Sequence, residues 1–141
     1  MAKRVLLCDD EIHILRAAEF KLKRAGFEVQ VAGDGQEAWE LIEVEPPDIL
    51  VTDYQMPRLD GLQLTQRVRE NPDLQDLPIL MLTAKGFELS HEELAHTWNV
   101  RGVISKPFSP RELLHTVQEI LAEQEDEVGE VTGGHGGKVR G

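Results

Sequence analysis

Asp9 and Asp10, Asp53, Thr83 and Lys106 each follow directly on a short apolar run: Val5-Leu6-Leu7-Cys8, Ile49-Leu50-Val51-Thr52, Ile79-Leu80-Met81-Leu82 and Val103-Ile104-Ser105. If those runs are parallel strands, their carboxyl ends share one sheet edge, where open α/β folds place their ligands. Three carboxylates, a hydroxyl and an ammonium would then converge. Such a set suits phosphoryl chemistry. Mg²⁺ prefers one or two carboxylates together with phosphate oxygens and waters, and Asp10 and Asp53 could supply those carboxylates. A crowded carboxylate is also a nucleophile for phosphorus if cations offset its charge. Lys106 would bring an ammonium to the phosphoryl oxygens and Thr83 a hydroxyl donor. Taken singly, each has a plainer reading as a cap, turn or surface residue. All of them in this order, each ending a different apolar run, is what a shared site requires.

Positioning those residues takes alternating strands and helices, and this pattern runs from the start of the chain to about residue 122. Five βα units fit. A strand over about 4–8 precedes a helix with Ile12, Leu15, Ala18 and Leu22 at helical spacing, stopped at Gly26. Phe27 to Val31 alternates as an edge strand does. Asp34 with Glu37 three residues on is a capping box for a second helix, which Pro46-Pro47 ends. Ile49 to Thr52 is apolar at nearly every position, as a central strand covered on both faces is. Leu64 and Val68 mark a third helix. A fourth apolar strand leads through a loop, Ala84 to Leu89, to a short helix capped by Ser90 and Glu93. Ser109, Pro110 and Glu112 then open a last helix with the stripe Leu113, Leu114, Val117, Ile120, Leu121.

The chain has 141 residues, enough for one domain with its own core and too few for two ordinary ones. Its 26 acidic and 15 basic residues give a net charge of −11, which on average repels nucleic acid rather than binding it. Cys8 is the only cysteine, so no internal disulfide or cysteine metal cage is possible. No apolar stretch has the length of a membrane span, and the N-terminus lacks the pattern of a signal peptide. The expected compartment is the cytoplasm. Residues 123–141, acidic and then glycine-rich, lack apolar periodicity and are expected to form a disordered tail beyond a domain of residues 1–122.

The motifs Asp9-Asp10-Glu11, Asp53 with Met56-Pro57 and Asp60-Gly61, Thr83-Ala84, and Lys106-Pro107-Phe108 resemble those of the receiver domain of two-component response regulators, over about residues 3–122. The resemblance implies a flavodoxin-like, doubly wound (βα)₅ fold with a five-stranded parallel sheet of order 2-1-3-4-5. It implies that Asp53 accepts a phosphoryl group from a sensor histidine kinase or phosphotransfer protein. Asp10, Asp53 and the Gln55 backbone carbonyl would bind Mg²⁺, with Asp9 acting through water. Thr83 and Lys106 would contact the phosphoryl group, and the Lys106-Pro107 bond is expected to be cis. Such a domain assists its own phosphorylation without turning over an external substrate. No helix-turn-helix pattern follows residue 122, so output is expected through contact with another protein, not DNA or a membrane.

Two departures stand out. Many receivers carry Tyr or Phe three residues before the lysine, where this chain has Val103, and His96-Thr97-Trp98-Asn99-Val100 replaces a small-residue pattern. Two other readings stay open. A phosphatase of the haloacid-dehalogenase type would need a second aspartate where Gln55 stands, and a phosphorylation-independent scaffold would ignore Asp53. The five histidines are scattered and are not read as ligands, Cys8 is read as core, and Trp98 as either packing or partner surface.

Overall fold

The computed structural model describes residues 2–84 and 91–132. Its elements alternate: β1 (Arg4–Cys8), α1 (Ile12–Arg24), β2 (Glu28–Ala32), α2 (Gly35–Val44), β3 (Ile49–Asp53), α3 (Gly61–Glu70), β4 (Ile79–Thr83), α4 (His91–Trp98), β5 (Gly102–Ser105) and α5 (Pro110–Thr132). The strands form one parallel sheet in the order β2-β1-β3-β4-β5, as expected. Because successive strand residues point to opposite faces, each apolar run feeds two cores. Leu6, Leu50, Ile79 and Met81 pack with Ala38, Ile42, Leu64, Val68 and Leu94 of α2, α3 and α4. Val5, Leu7, Ile49, Val51, Leu80 and Leu82 pack on the other face with Leu15, Ala18 and Leu22 of α1 and Leu113, Val117 and Ile120 of α5. Fully burying a side chain of this size contributes about 1.5–3 kcal/mol, so the two cores together fix the strand ends rigidly.

β2 is the alternating edge strand, shifted by one residue from the sequence reading to Glu28–Ala32. Asp34 caps α2 by accepting from the Glu37 N–H, but the Glu37 carboxylate reaches back to the Gly33 N–H, one residue short of a reciprocal box. The reciprocal box is instead at α3, between Asp60 and Gln63. Ser109 accepts from the Glu112 N–H at the start of α5. The Ser90 cap and the loop through Leu89 lie outside the described residues.

α5 runs to Thr132, beyond residue 122, where its apolar stripe ends. Ala122, Glu123, Gln124 and Glu125 are good helix formers, and extending a helix already anchored by packing avoids the cost of nucleation. Gln124 and Glu125 are also tied to the body, through Arg101 and Lys3. Residues 133–141 lie outside the described residues. Among the described residues no helix is long and apolar enough to cross a membrane.

Candidate functional site

Strand register brings the polar residues together. Cys8 pairs with Thr52, so Asp9 stands beside Asp53, and Asp53 in turn pairs with Leu82, one residue before Thr83. Thr83 pairs with Ser105, and the Lys106 N–H donates to the Thr83 carbonyl at 2.7 Å, so the lysine stem leaves the sheet at the same edge. The Lys106-Pro107 bond is cis. Asp9, Asp53 and Thr83 are buried, whereas Asp10 is exposed.

The Lys106 ammonium is the hub of the charges. It lies 2.6 Å from Glu11 Oε1, 2.9 Å from Asp9 Oδ2 and 3.2 Å from Asp53 Oδ2. The hydrogen bond it directs goes to Glu11, whereas Asp9 Oδ2 has no directed hydrogen bond and meets the ammonium as an ion pair. Asp9 is otherwise oriented by the Glu11 N–H, which donates to Oδ1 at 2.9 Å. Burial pushes the Asp53 pKa up to about 6, with the charge of Asp9 adding to the effect and Lys106 offsetting part of it. Burial likewise raises Asp9, against the hydrogen bond from Glu11 and the charge of Lys106. For Lys106, burial opposes the charged form, but Glu11 and Asp9 outweigh it and hold the pKa above its ordinary value. One ammonium facing several desolvated carboxylates thus leaves an acid site short of positive charge.

That deficit is what a divalent cation would fill. One carboxylate oxygen from each of Asp9, Asp10 and Asp53 lies within 4.8 Å of the others. All three donors are hard oxygens, and Asp9 Oδ2 is a buried acceptor without a directed hydrogen bond. The set fits Mg²⁺ in chemistry and number. Gln55, the fourth expected ligand through its carbonyl, follows in the loop after β3 and is exposed.

That loop is held from three sides. Gly61 packs so close to β3 that an added Cβ would collide with the Asp53 carbonyl oxygen and lie 2.9 Å from Tyr54 Cα. The Asp60 capping box fixes the start of α3 behind it. Arg58, at φ 69°, places one guanidinium nitrogen 3.0 and 2.8 Å from the two Asp34 carboxylate oxygens. The buried Cys8 thiol lies 3.2 Å from both the Asp34 carbonyl oxygen and the Met56 sulfur, and burial raises its pKa, so it fills space as a thiol.

Asp9, Asp10, Asp53, Thr83 and Lys106 therefore meet as the sequence implies. Glu11 was visible in the same motif, yet its part as the hydrogen-bond partner of Lys106 was not read, because the two are 95 positions apart. The Arg58–Asp34 tether was missed for the same reason. Val103 is half-buried and packs with Trp98 against the core on the α2–α4 side.

The model for the response regulator receiver domain matches residues 5–118. The alkaline phosphatase synthesis transcriptional regulatory protein PhoP of Bacillus subtilis (strain 168) is 38% identical over 125 residues, covering 89% of this chain and 51% of that protein. The chain spans about half the length of the curated relatives it matches. Among solved structures, a putative response regulator from Chloroflexus aurantiacus J-10-fl shares 38% identity at a TM-score of 0.78, covering 86% of this chain and 99% of its own. The Vibrio cholerae chemotaxis protein CheY4 shares 31% at 0.77, covering 85% and 99%.

Proposed function

The chain belongs to the response regulator receiver domains of two-component signalling, and from that premise we propose that it is a phosphorylation switch whose phosphoacceptor is Asp53. The observation that carries this is the convergence of Asp53 with Asp9, Asp10 and Lys106 at one sheet edge, beside Thr83. An Asp53 carboxylate oxygen attacks phosphorus, the bond from phosphorus to the histidine nitrogen of the donor breaks, and the imidazole leaves with the electron pair. The product is an acyl phosphate on Asp53. Lys106 neutralises the phosphoryl oxygens, and the Thr83 hydroxyl donates to one of them. Water attacking phosphorus later breaks the bond from phosphorus to the Asp53 oxygen, releasing inorganic phosphate and the free carboxylate.

Mg²⁺ would be held by Asp10, Asp53 and the Gln55 carbonyl, with Asp9 acting through water, and it supplies positive charge against the donor's anionic oxygens. The phosphoryl donor is a sensor histidine kinase or phosphotransfer protein, and output passes to another protein. A net charge of −11 supports a protein partner over direct contact with DNA. The compartment that fits is the cytoplasm, and no turnover of an external substrate is assigned.

Intact-mass measurement after incubation with acetyl phosphate and Mg²⁺ tests the reading. One phosphoryl adduct is expected on the parent and none on Asp53→Asn. The same adduct on that variant, or none on the parent, would overturn it.

A further inference from the structure

Glu11 occupies the N-cap position of α1 but does not cap it: its side chain makes no hydrogen bond to the first turn. Ser, Thr, Asp and Asn dominate such positions because a short oxygen-bearing side chain satisfies the free N–H groups there. Here the longer glutamate extends the other way and takes the hydrogen bond from Lys106 at 2.6 Å, a group 95 residues on. The three carboxylates around that ammonium differ in freedom to move. The side chains of Asp9 and Asp53 are 2% and 8% exposed and stand at strand ends, whereas that of Glu11 is 58% exposed. Glu11 is the partner that can let go.

We propose, on the reading of Asp53 as phosphoacceptor, that Glu11 is an electrostatic latch: it holds the Lys106 ammonium in the unphosphorylated domain and must release it when the phosphoryl group arrives. The physical ground is competition for one cation. A phosphoryl group on Asp53 adds anionic oxygens next to a lysine already 3.2 Å from that carboxylate. Of the anions that then claim Lys106, exposed Glu11 holds it most weakly, since water screens that contact. Until it yields, Glu11 both diverts the ammonium and adds negative charge at the rim through which an anionic donor enters. Released, its carboxylate lies at the start of α1, where the helix dipole favours an anion and where the first turn has no acidic residue of its own.

The latch predicts that Glu11→Gln speeds phosphorylation by acetyl phosphate roughly two- to fivefold and tightens beryllofluoride binding by a similar factor, the scale of one partly exposed ion pair. Glu11→Asp keeps the charge but is one methylene too short to hold the contact, so it should follow Glu11→Gln in beryllofluoride affinity. Mg²⁺ affinity, measured by calorimetry without phosphoryl donor, should fall less than about threefold in either variant, because Glu11 is not one of the clustered oxygens. Phosphorylation and beryllofluoride binding that match the parent in both variants, with the parent itself phosphorylated on Asp53, would remove the latch and leave the phosphoacceptor reading intact. Gain in Glu11→Gln with parent-like Glu11→Asp would mean rim charge alone acts, and a loss of Mg²⁺ affinity of tenfold or more would mean Glu11 serves the cation. Either result overturns the proposal. A parent that takes up no phosphoryl group would instead overturn the reading on which it rests.

Discussion

Lys106 Nζ stands 3.2 Å from Asp53 Oδ2, and yet the Asp53 pKa is pushed up to about 6. An ion pair at that distance ordinarily favours the ionised acid. Here desolvation wins, with Asp9 adding like charge, because the ammonium is divided among Asp9, Glu11 and Asp53. The folded domain in the absence of a cation therefore carries an ionised carboxylate that it would be more stable without.

This sets the sign of a pH effect. Asp53 binds its proton more tightly folded than unfolded, so between about pH 6 and the ordinary value of 3.8 folding takes up a proton. Its contribution to stability rises as pH falls through 6 and declines as pH rises through it. Asp9 shifts in the same direction, while Glu19 and Asp34, held low by Lys23 and by the Glu37 N–H respectively, contribute with the opposite sign. The clean observable is the difference between parent and Asp53→Asn in thermal melts from pH 5 to 8 without Mg²⁺. The variant should melt several degrees higher at pH 7.5, an effect of at most roughly 2–3 kcal/mol, and the gap should narrow toward pH 5. A gap that widens on acidification would contradict the assignment.

Gly61 gives a test of how the site is positioned. A methyl group there meets the Asp53 carbonyl oxygen and the Tyr54 backbone, neither of which can yield without moving the phosphoacceptor. Gly61→Ala should lose roughly 1–3 kcal/mol in urea unfolding and phosphorylate more slowly than the parent. Unchanged stability together with unchanged phosphorylation would show that the loop accommodates the methyl freely.

The fold was legible because β3 and β4 are apolar up to the polar residues that end them, and that signal survives without knowledge of neighbours. The site was legible for a related reason: Asp53, Thr83 and Lys106 sit where such runs stop, so register alone brings them together. What the sequence hides is pairing between residues that share no local pattern. Glu11 with Lys106, Arg58 with Asp34, and Arg69 with the Trp98 carbonyl span 95, 24 and 29 positions and are set by side-chain reach in the folded chain. The length of α5 was hidden differently, since hydrophobic period reports packing and is silent on a helix that continues on propensity and polar contacts.

That helix separates two truncations. Ending the chain after Asp126 keeps the Arg101–Gln124 hydrogen bond at 2.9 Å and the Lys3–Glu125 pair at 3.6 Å, and should leave the melting temperature within about 2 °C of the parent, since both ties between this end of α5 and the body remain. Ending it after Leu121 removes both contacts and the Gln124 bond to the Asp76 carbonyl. The second truncation should melt several degrees lower. Equal melting of the two would mean these contacts are too exposed to matter.

The last expectation concerns how the signal leaves the site. Val103 has no ring to turn inward when Thr83 moves toward a phosphoryl group, so the element after β4 is the one left to respond. Its far end is pinned: the Arg69 guanidinium donates to the carbonyls of Trp98 at 2.7 Å and Asn99 at 3.0 Å, and to those of Leu74 and Gln75 on the other side. Hydrogen bonds from a charged group contribute about 1.5–3 kcal/mol each, enough to make this corner an anchor. Beryllofluoride should therefore change hydrogen exchange in residues 85–95 more than in residues 98–101, with Thr83→Ala suppressing the change and Arg69→Ala extending it to residue 101. Exchange that changes first at 98–101 in the parent would mean that Arg69 is part of the moving element, and that the route out of the site crosses α3.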